Sequence, residues 1–165
     1  MDRITKFQAF VDGKSYAGTV SSFTPPVPTE KVEEVLTGGM LAPMEVSMGL
    51  EKLEASMVFE SSSPDVLNLL GIVEQGAVSF EFRGAAVDDN GTTRPVIHTC
   101  RGNIKSIDHG TFTAGEKNQT TVSMSVVYYR HSFDGRDMIE IDVQNMVFKT
   151  GGQDRLAEQR NAIGL

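Results

Sequence analysis

The 165-residue chain carries 22 acidic and 15 basic side chains, for a net charge of −7 and a pI near 4.9. That balance argues against a nucleic-acid grip, which needs a basic surface. No run approaches the roughly 18 apolar residues of a membrane span, residues 1–6 lack the apolar core of a signal peptide, and a lone cysteine, Cys100, excludes an internal disulfide. The expectation is one domain, residues 1–165, made and folded in a reducing cytoplasm.

In chain order, strands are predicted over residues 4–11, 15–23, 30–37, 45–60, 77–87, 94–107, 119–131 and 137–149, where apolar and polar residues alternate. Asp12-Gly13, Asn90-Gly91 and Asp134-Gly135 read as two-residue hairpin turns, because glycine accepts the positive φ these turns need. Pro25, Pro26 and Pro28 interrupt pairing after the second strand. Residues 30–60 hold seven Glu and two Lys, a balance of −5, against −2 for the rest of the chain. Within 45–60 the apolar alternation changes phase near Glu51-Lys52, as a strand does when it bends or bulges between two sheets. A short helix is predicted after Ser63, with Pro64 at its first position, Asp65 at its positive end, Val66, Leu67, Leu69 and Leu70 as its apolar face, and Gly71 as its stop. At the carboxyl end Ile139, Ile141 and Val143 alternate with acids, Gly151-Gly152 breaks the strand, and Asp154 is placed to cap a second helix starting near Arg155. Leu156, Ile163 and Leu165 on that helix are too few to form a core, so they must dock on the subunit's own sheet or on a neighbour's. The glycine pair, read as a hinge, favours the neighbour. The predicted fold is mainly β, a sandwich or barrel with one short central helix and one short carboxyl-terminal helix.

No motif supports catalysis, and no cofactor or metal is expected. His98 and Cys100 share a strand face, but no second pair of ligands occurs at metal-site spacing, so they read as packing residues. Residues 110–121 (GTFTAGEKNQTT) lack the Gly-Lys-Ser/Thr of a phosphate loop. Glu33-Glu34 on a strand point to opposite faces and cannot share a substrate. Asp88-Asp89-Asn90 lacks the downstream oxygen ligands of a calcium loop.

Several segments in order resemble the major tail tube proteins of contractile-tailed phages and R-type pyocins. Phe10-Val11-Asp12-Gly13 with Tyr16-Ala17-Gly18 is similar to the family's first hairpin. Gly38-Gly39-Met40, Pro43 and Val46-Ser47-Met48-Gly49-Leu50-Glu51 are similar to its "GGM…P…MGLE" loop and strand. Val127-Tyr128-Tyr129 and Asp134-Gly135 match a late hairpin. Asp142-Val143-Gln144-Asn145-Met146-Val147, Asp154, Leu156-Ala157-Glu158-Gln159-Arg160 and Gly164-Leu165 match its carboxyl end.

The resemblance implies a structural protein, not an enzyme. It implies hexameric rings stacked into a hollow tube inside a contractile sheath, with strands of each subunit joining an inner β-barrel. The implied partners are further copies of the chain and the sheath, baseplate, tape-measure and tail-terminator proteins. DNA is implied as a passing, non-adhering occupant, some of the carboxylates as channel lining, and no membrane anchor. The implied location is the virion tail or a headless tail-like particle, assembled in the host cytoplasm. By the same resemblance Leu36, Gly38, Gly39, Met40 and Leu41 form an inter-ring contact, while Leu156, Ile163 and Leu165 are candidates for docking between subunits. Two other readings stay open at this point: the tube of a type VI secretion-like apparatus, and a small β-barrel that binds a ligand in a deep pocket.

Overall fold

The computed structural model describes every residue except Ala17 and Ser62; the Ala17 part of the first-hairpin match therefore lies outside the described residues. The predicted β architecture is present. The strands are β1 (Arg3–Val11), β2 (Lys14–Ser15), β3 (Val20–Thr24), β4 (Glu30–Val35), β5 (Met44–Leu50), β6 (Leu53–Phe59), β7 (Val78–Val87), β8 (Thr93–Asp108), β9 (Thr120–Phe133), β10 (Arg136–Asp142), β11 (Val147–Thr150) and β12 (Gln153–Asp154). The helices are α1 (Pro64–Leu67) and α2 (Ala157–Ile163).

One antiparallel sheet runs β12-β11-β10-β9-β8-β7-β1-β2. The long strand β9 changes partners partway: its residues up to Val126 pair with β6, and those from Tyr128 onward pair with β10. Through β6 it also carries β3. The sheet thereby turns over on itself and encloses Met57, Phe59, Val78, Phe80, Cys100, Val122, Met124 and Ile141, all almost wholly buried. Burial pushes the Cys100 thiol up to about 12, so it packs as a small neutral group.

Turn chemistry held where both residues take positive φ. Asp12-Gly13 (51° and 80°) and Asp134-Gly135 (51° and 76°) close the hairpins β1–β2 and β9–β10. Asn90-Gly91 does not make a two-residue turn. Asp88 takes the N–H groups of Asn90 and Thr92 on its carboxylate, and pairing resumes only at Val87–Thr93. The phase change at Glu51-Lys52 is a true break: β5 pairs only with β4 in a separate two-stranded sheet, whereas β6 enters the core.

Three other expectations are corrected. The strand predicted at 15–23 is β2 and β3 separated by a turn in which Thr19 N–H donates to Tyr16. The strand predicted at 137–149 breaks after Asp142, whose carboxylate accepts the N–H groups of Gln144 and Asn145, so Val143 is exposed in the turn. The helix after Ser63 has a single turn with no side-chain cap, and only Val66 is buried; Leu70 is exposed.

Strand β3 pairs with β6, and its Phe23 stacks on Phe82 of β7 at 5.1 Å. Beside them His98 stacks on its cross-strand partner His131 at 4.2 Å, with its Nδ1 2.9 Å from the Tyr129 hydroxyl. Burial, aided by the neighbouring His131, lowers His98 to about 4, and burial lowers His131 as well. Both therefore hold protons less tightly when folded than when unfolded. The His98 contribution is complete above the unfolded value near 6.5 and is lost as the pH falls from there toward 4, and that of His131 is lost in the same direction. The urea midpoint is expected to fall between pH 7 and pH 4.5. His98→Phe, which keeps the stacking, should remove about 1–2 kcal/mol of that pH dependence after allowance for solvent screening. Equal slopes for both proteins would assign the acid response elsewhere.

Candidate assembly surfaces

Large apolar side chains stand uncovered at several places on the chain, and at three of them the origin is local. The first is the β4–β5 connection. Gly39 takes φ 92°, and Met40 turns back so that its sulfur meets the Thr37 N–H and hydroxyl at 3.4 and 3.1 Å. Leu36 (64%) and Leu41 (105%) are left standing in solvent around Gly38 and Gly39. Of the five residues predicted for this contact, Met40 is half-buried and the others are exposed.

The second is the β4–β5 hairpin itself, whose apolar side chains were not among the predicted contact residues. Met44, Val46 and Met48 alternate along β5 and so share one face, with Val35 opposite Met44 and Glu33 opposite Val46. Met44, Val46 and Met48 are all exposed. The other face places Glu34 directly opposite Glu45 and Val32 opposite Ser47.

The third is the carboxyl end. Gly151 and Gly152 (φ 59° and 80°) form the tight turn between β11 and β12, so they are not a hinge. Helix α2 begins at Ala157 with Leu156 as its uncapped entry. Asp154 does not cap it; its carboxylate accepts the Leu156 N–H at 3.1 Å and pairs with Arg160, which also donates to the Met146 carbonyl at 2.9 Å. The Arg160 hydrogen bonds hold the Asp154 carboxyl below the usual carboxylate range. This clasp fixes the helix beside the β10–β11 turn. Leu156 is half-buried and lines an apolar cleft of about 380 Å³ with Leu53, Val126, Ile141 and Phe148. Ile163 (64%) and Leu165 (71%) have no cover.

The outward face of the main sheet is polar. Glu81, Thr99, Arg130, Glu140, Lys149 and Asp154 sit in one row across β7 to β12. Among the described residues no three His, Cys, Asp or Glu side chains gather as a metal site would require.

The family described as "Phage tail tube protein FII" matches residues 1–164. The chain is 34% identical to the tail tube protein of Escherichia phage P2, over 99% of this chain and 97% of that one. It is 29% identical to the major tail tube protein of Serratia phage KSP20, over 99% and 96%. Among solved structures, its fold is similar to the sheath/tube terminator of an extracellular contractile injection system, PVC, in the extended state: TM-score 0.60, 11% identity, 79% of this chain and 95% of that one. It is also similar to a chain of the anti-feeding prophage baseplate: TM-score 0.54, 11% identity, 76% and 90%. Matched along nearly its whole length to a tube family and to a curated tube protein above 30% identity, this chain belongs to the phage tail tube protein family.

Proposed function

We propose that the chain is the repeating unit of the tube wall: six copies close a ring, rings stack, and the resulting channel passes DNA in a phage particle. The carrying observation is that a sandwich with a filled core leaves apolar side chains uncovered in separate places, among them the Leu41 loop, the Met44–Met48 face and the Ile163–Leu165 end. Exposed apolar surface split among separate places fits head-to-tail contact, in which one patch meets a different patch on the next copy, and such contacts close into rings. The baseplate relative was solved with 6-fold symmetry, which supports six as the number. The polar outer face of the sheet suits a water-filled lumen, and the acidic balance disfavours adhesion of DNA phosphates. In this reading the sheath, baseplate, tape-measure and tail-terminator proteins surround or cap the tube, and assembly occurs in the host cytoplasm.

The test is concentration-dependent assembly, since mass action favours closure. Purified protein is expected to form rings or tubes visible by electron microscopy. A folded chain that remains monomeric up to millimolar concentration overturns the proposal. For the loop, Leu41→Asp should leave the thermal midpoint within about 2 °C, because the side chain is already solvated. It should block growth beyond single rings. Normal tube length in the variant would remove this loop from the inter-ring contact.

A further inference from the structure

We infer that the β4–β5 hairpin of one copy lies along the free edge of β1 in a second copy and extends its sheet. The inference rests on the tube reading above and names the surfaces that meet. Strand β1 is paired with β7 along its length, but on its other side β2 covers only Phe10 and Val11. Among the described residues no strand pairs with the outer side of residues 3–8, so their outward N–H and C=O groups form a ready template for another strand.

The two faces of that edge differ. Ile4 and Phe7 pair with Ala86 and Gly84 and share the face of Phe82, on which Phe7 stacks at 5.1 Å. Both Ile4 (48%) and Phe7 (37%) remain exposed. Arg3 and Lys6, opposite Val87 and Ala85, lie on the other face, and neither has a carboxylate partner among the described residues.

The hairpin has the complementary division. Its strand β5 carries Met44, Val46 and Met48 on one face, across from Val35 and Glu33 of β4, and the other face holds Glu34 opposite Glu45, a directly facing like-charge pair with no ion-pair partner among the described residues. Such a pair destabilises an antiparallel ladder unless a positive charge arrives from outside. An isolated two-stranded hairpin is also marginal in water and gains most from a third strand. Setting the hairpin on the β1 edge continues the Ile4, Phe7, Phe82 face with Met44, Val46 and Met48. It brings Glu34 and Glu45 to the side of Arg3 and Lys6. Alternation along β5 fixes this match, since a one-residue slip would put Glu45 and Ser47 where Met44, Val46 and Met48 continue the apolar face.

The experiment reverses charges in the full chain. Arg3→Glu with Lys6→Glu, and separately Glu34→Lys with Glu45→Lys, should each raise the concentration needed for polymer by about tenfold or more. The chain carrying all four reversals should return close to the original threshold. All these side chains except Arg3 and Lys6 of the edge belong to the hairpin, and all are exposed, so circular dichroism should show native folding throughout. A second readout uses the fact that Cys100, the sole cysteine, is buried. Lys6→Cys and Glu45→Cys copies carrying different tags, mixed and treated with a short bismaleimide, should give crosslinks between the two populations. They should form in clear excess over a pairing of Glu45→Cys with Lys117→Cys in the exposed 109–119 loop. Unchanged thresholds, no recovery in the fourfold variant, or crosslinking no better than the Lys117 pairing overturn the inference while the tube reading stands. Failure of the unsubstituted chain to polymerise overturns both.

Discussion

Gly102→Ala is expected to unfold the protein or cost about 3–5 kcal/mol, a large share of the roughly 5–15 kcal/mol a domain of this kind has in reserve. Gly102 stands where the β8–β9 register shifts, opposite Val126, at the point where β9 leaves β6 for β10. A methyl group there would lie 1.8 Å from the Ser125 carbonyl oxygen, 2.8 Å from its carbon and 3.0 Å from the Val126 Cα. Every obstructing atom is backbone of a central strand paired on both sides, so relief requires moving the strand itself. Gly84→Ala is the control. Its new methyl meets the Phe82 ring at 3.0 Å and Ile4 at 3.3 Å, side chains that can shift, and about 1 kcal/mol is expected. Gly38→Ala meets nothing within 4 Å and should be neutral. Urea unfolding of the three variants gives the ranking. A Gly102→Ala protein within 1 kcal/mol of the original would mean that β8 and β9 do not approach so closely.

The β architecture was legible because its signals are local. Asp-Gly with positive φ at both residues can hardly be anything but a tight turn, and the phase reversal around Glu51-Lys52 records a change of face that only a change of sheet explains. The misreadings share a cause in side-chain to backbone hydrogen bonding. Asp88 and Asp142 each capture two N–H groups and shape a turn where the pattern alone suggested a two-residue loop in one case and a continuing strand in the other. An Asp leading into Gln-Asn was the signal available at Asp142. At α1 the apolar residues suggested a longer face, yet one turn cannot present four side chains to the same sheet.

The assembly surfaces were legible only in part. Leu41 could be found because apolar residues around two glycines are out of place in a loop. Met44, Val46 and Met48 could not, since alternation in an exposed strand looks the same as alternation in a core strand until its pairing is known. Gly151-Gly152 misled in the opposite way. Two glycines in a row permit a hinge or a tight turn equally, and the pairing of Thr150 with Gln153 decides for the turn.

Removing Ile163, Gly164 and Leu165 is expected to abolish ring formation while leaving the thermal midpoint within about 2 °C. The retained part of α2 keeps what holds it: the Asp154–Arg160 pair, the Arg160 bond to Met146, and Leu156 in its cleft. The three residues removed bury little against their own subunit, and Gly164 at φ 83° only turns the chain so that the Leu165 N–H reaches the Arg160 carbonyl. If a neighbour covers Ile163 and Leu165, each side chain contributes about 1.5–3 kcal/mol there. Together they are then worth roughly two to four orders of magnitude in the association constant. Cutting further back, before Asp154, should behave differently, because it takes Leu156 from the cleft beside Leu53, Ile141 and Phe148 and lowers the midpoint by several degrees. The comparison separates the two roles of the segment: its start belongs to the subunit and its end to the assembly. Rings from the three-residue truncation at the original concentration would deny the end that role. A large fall in its melting temperature would show that the end packs on its own subunit.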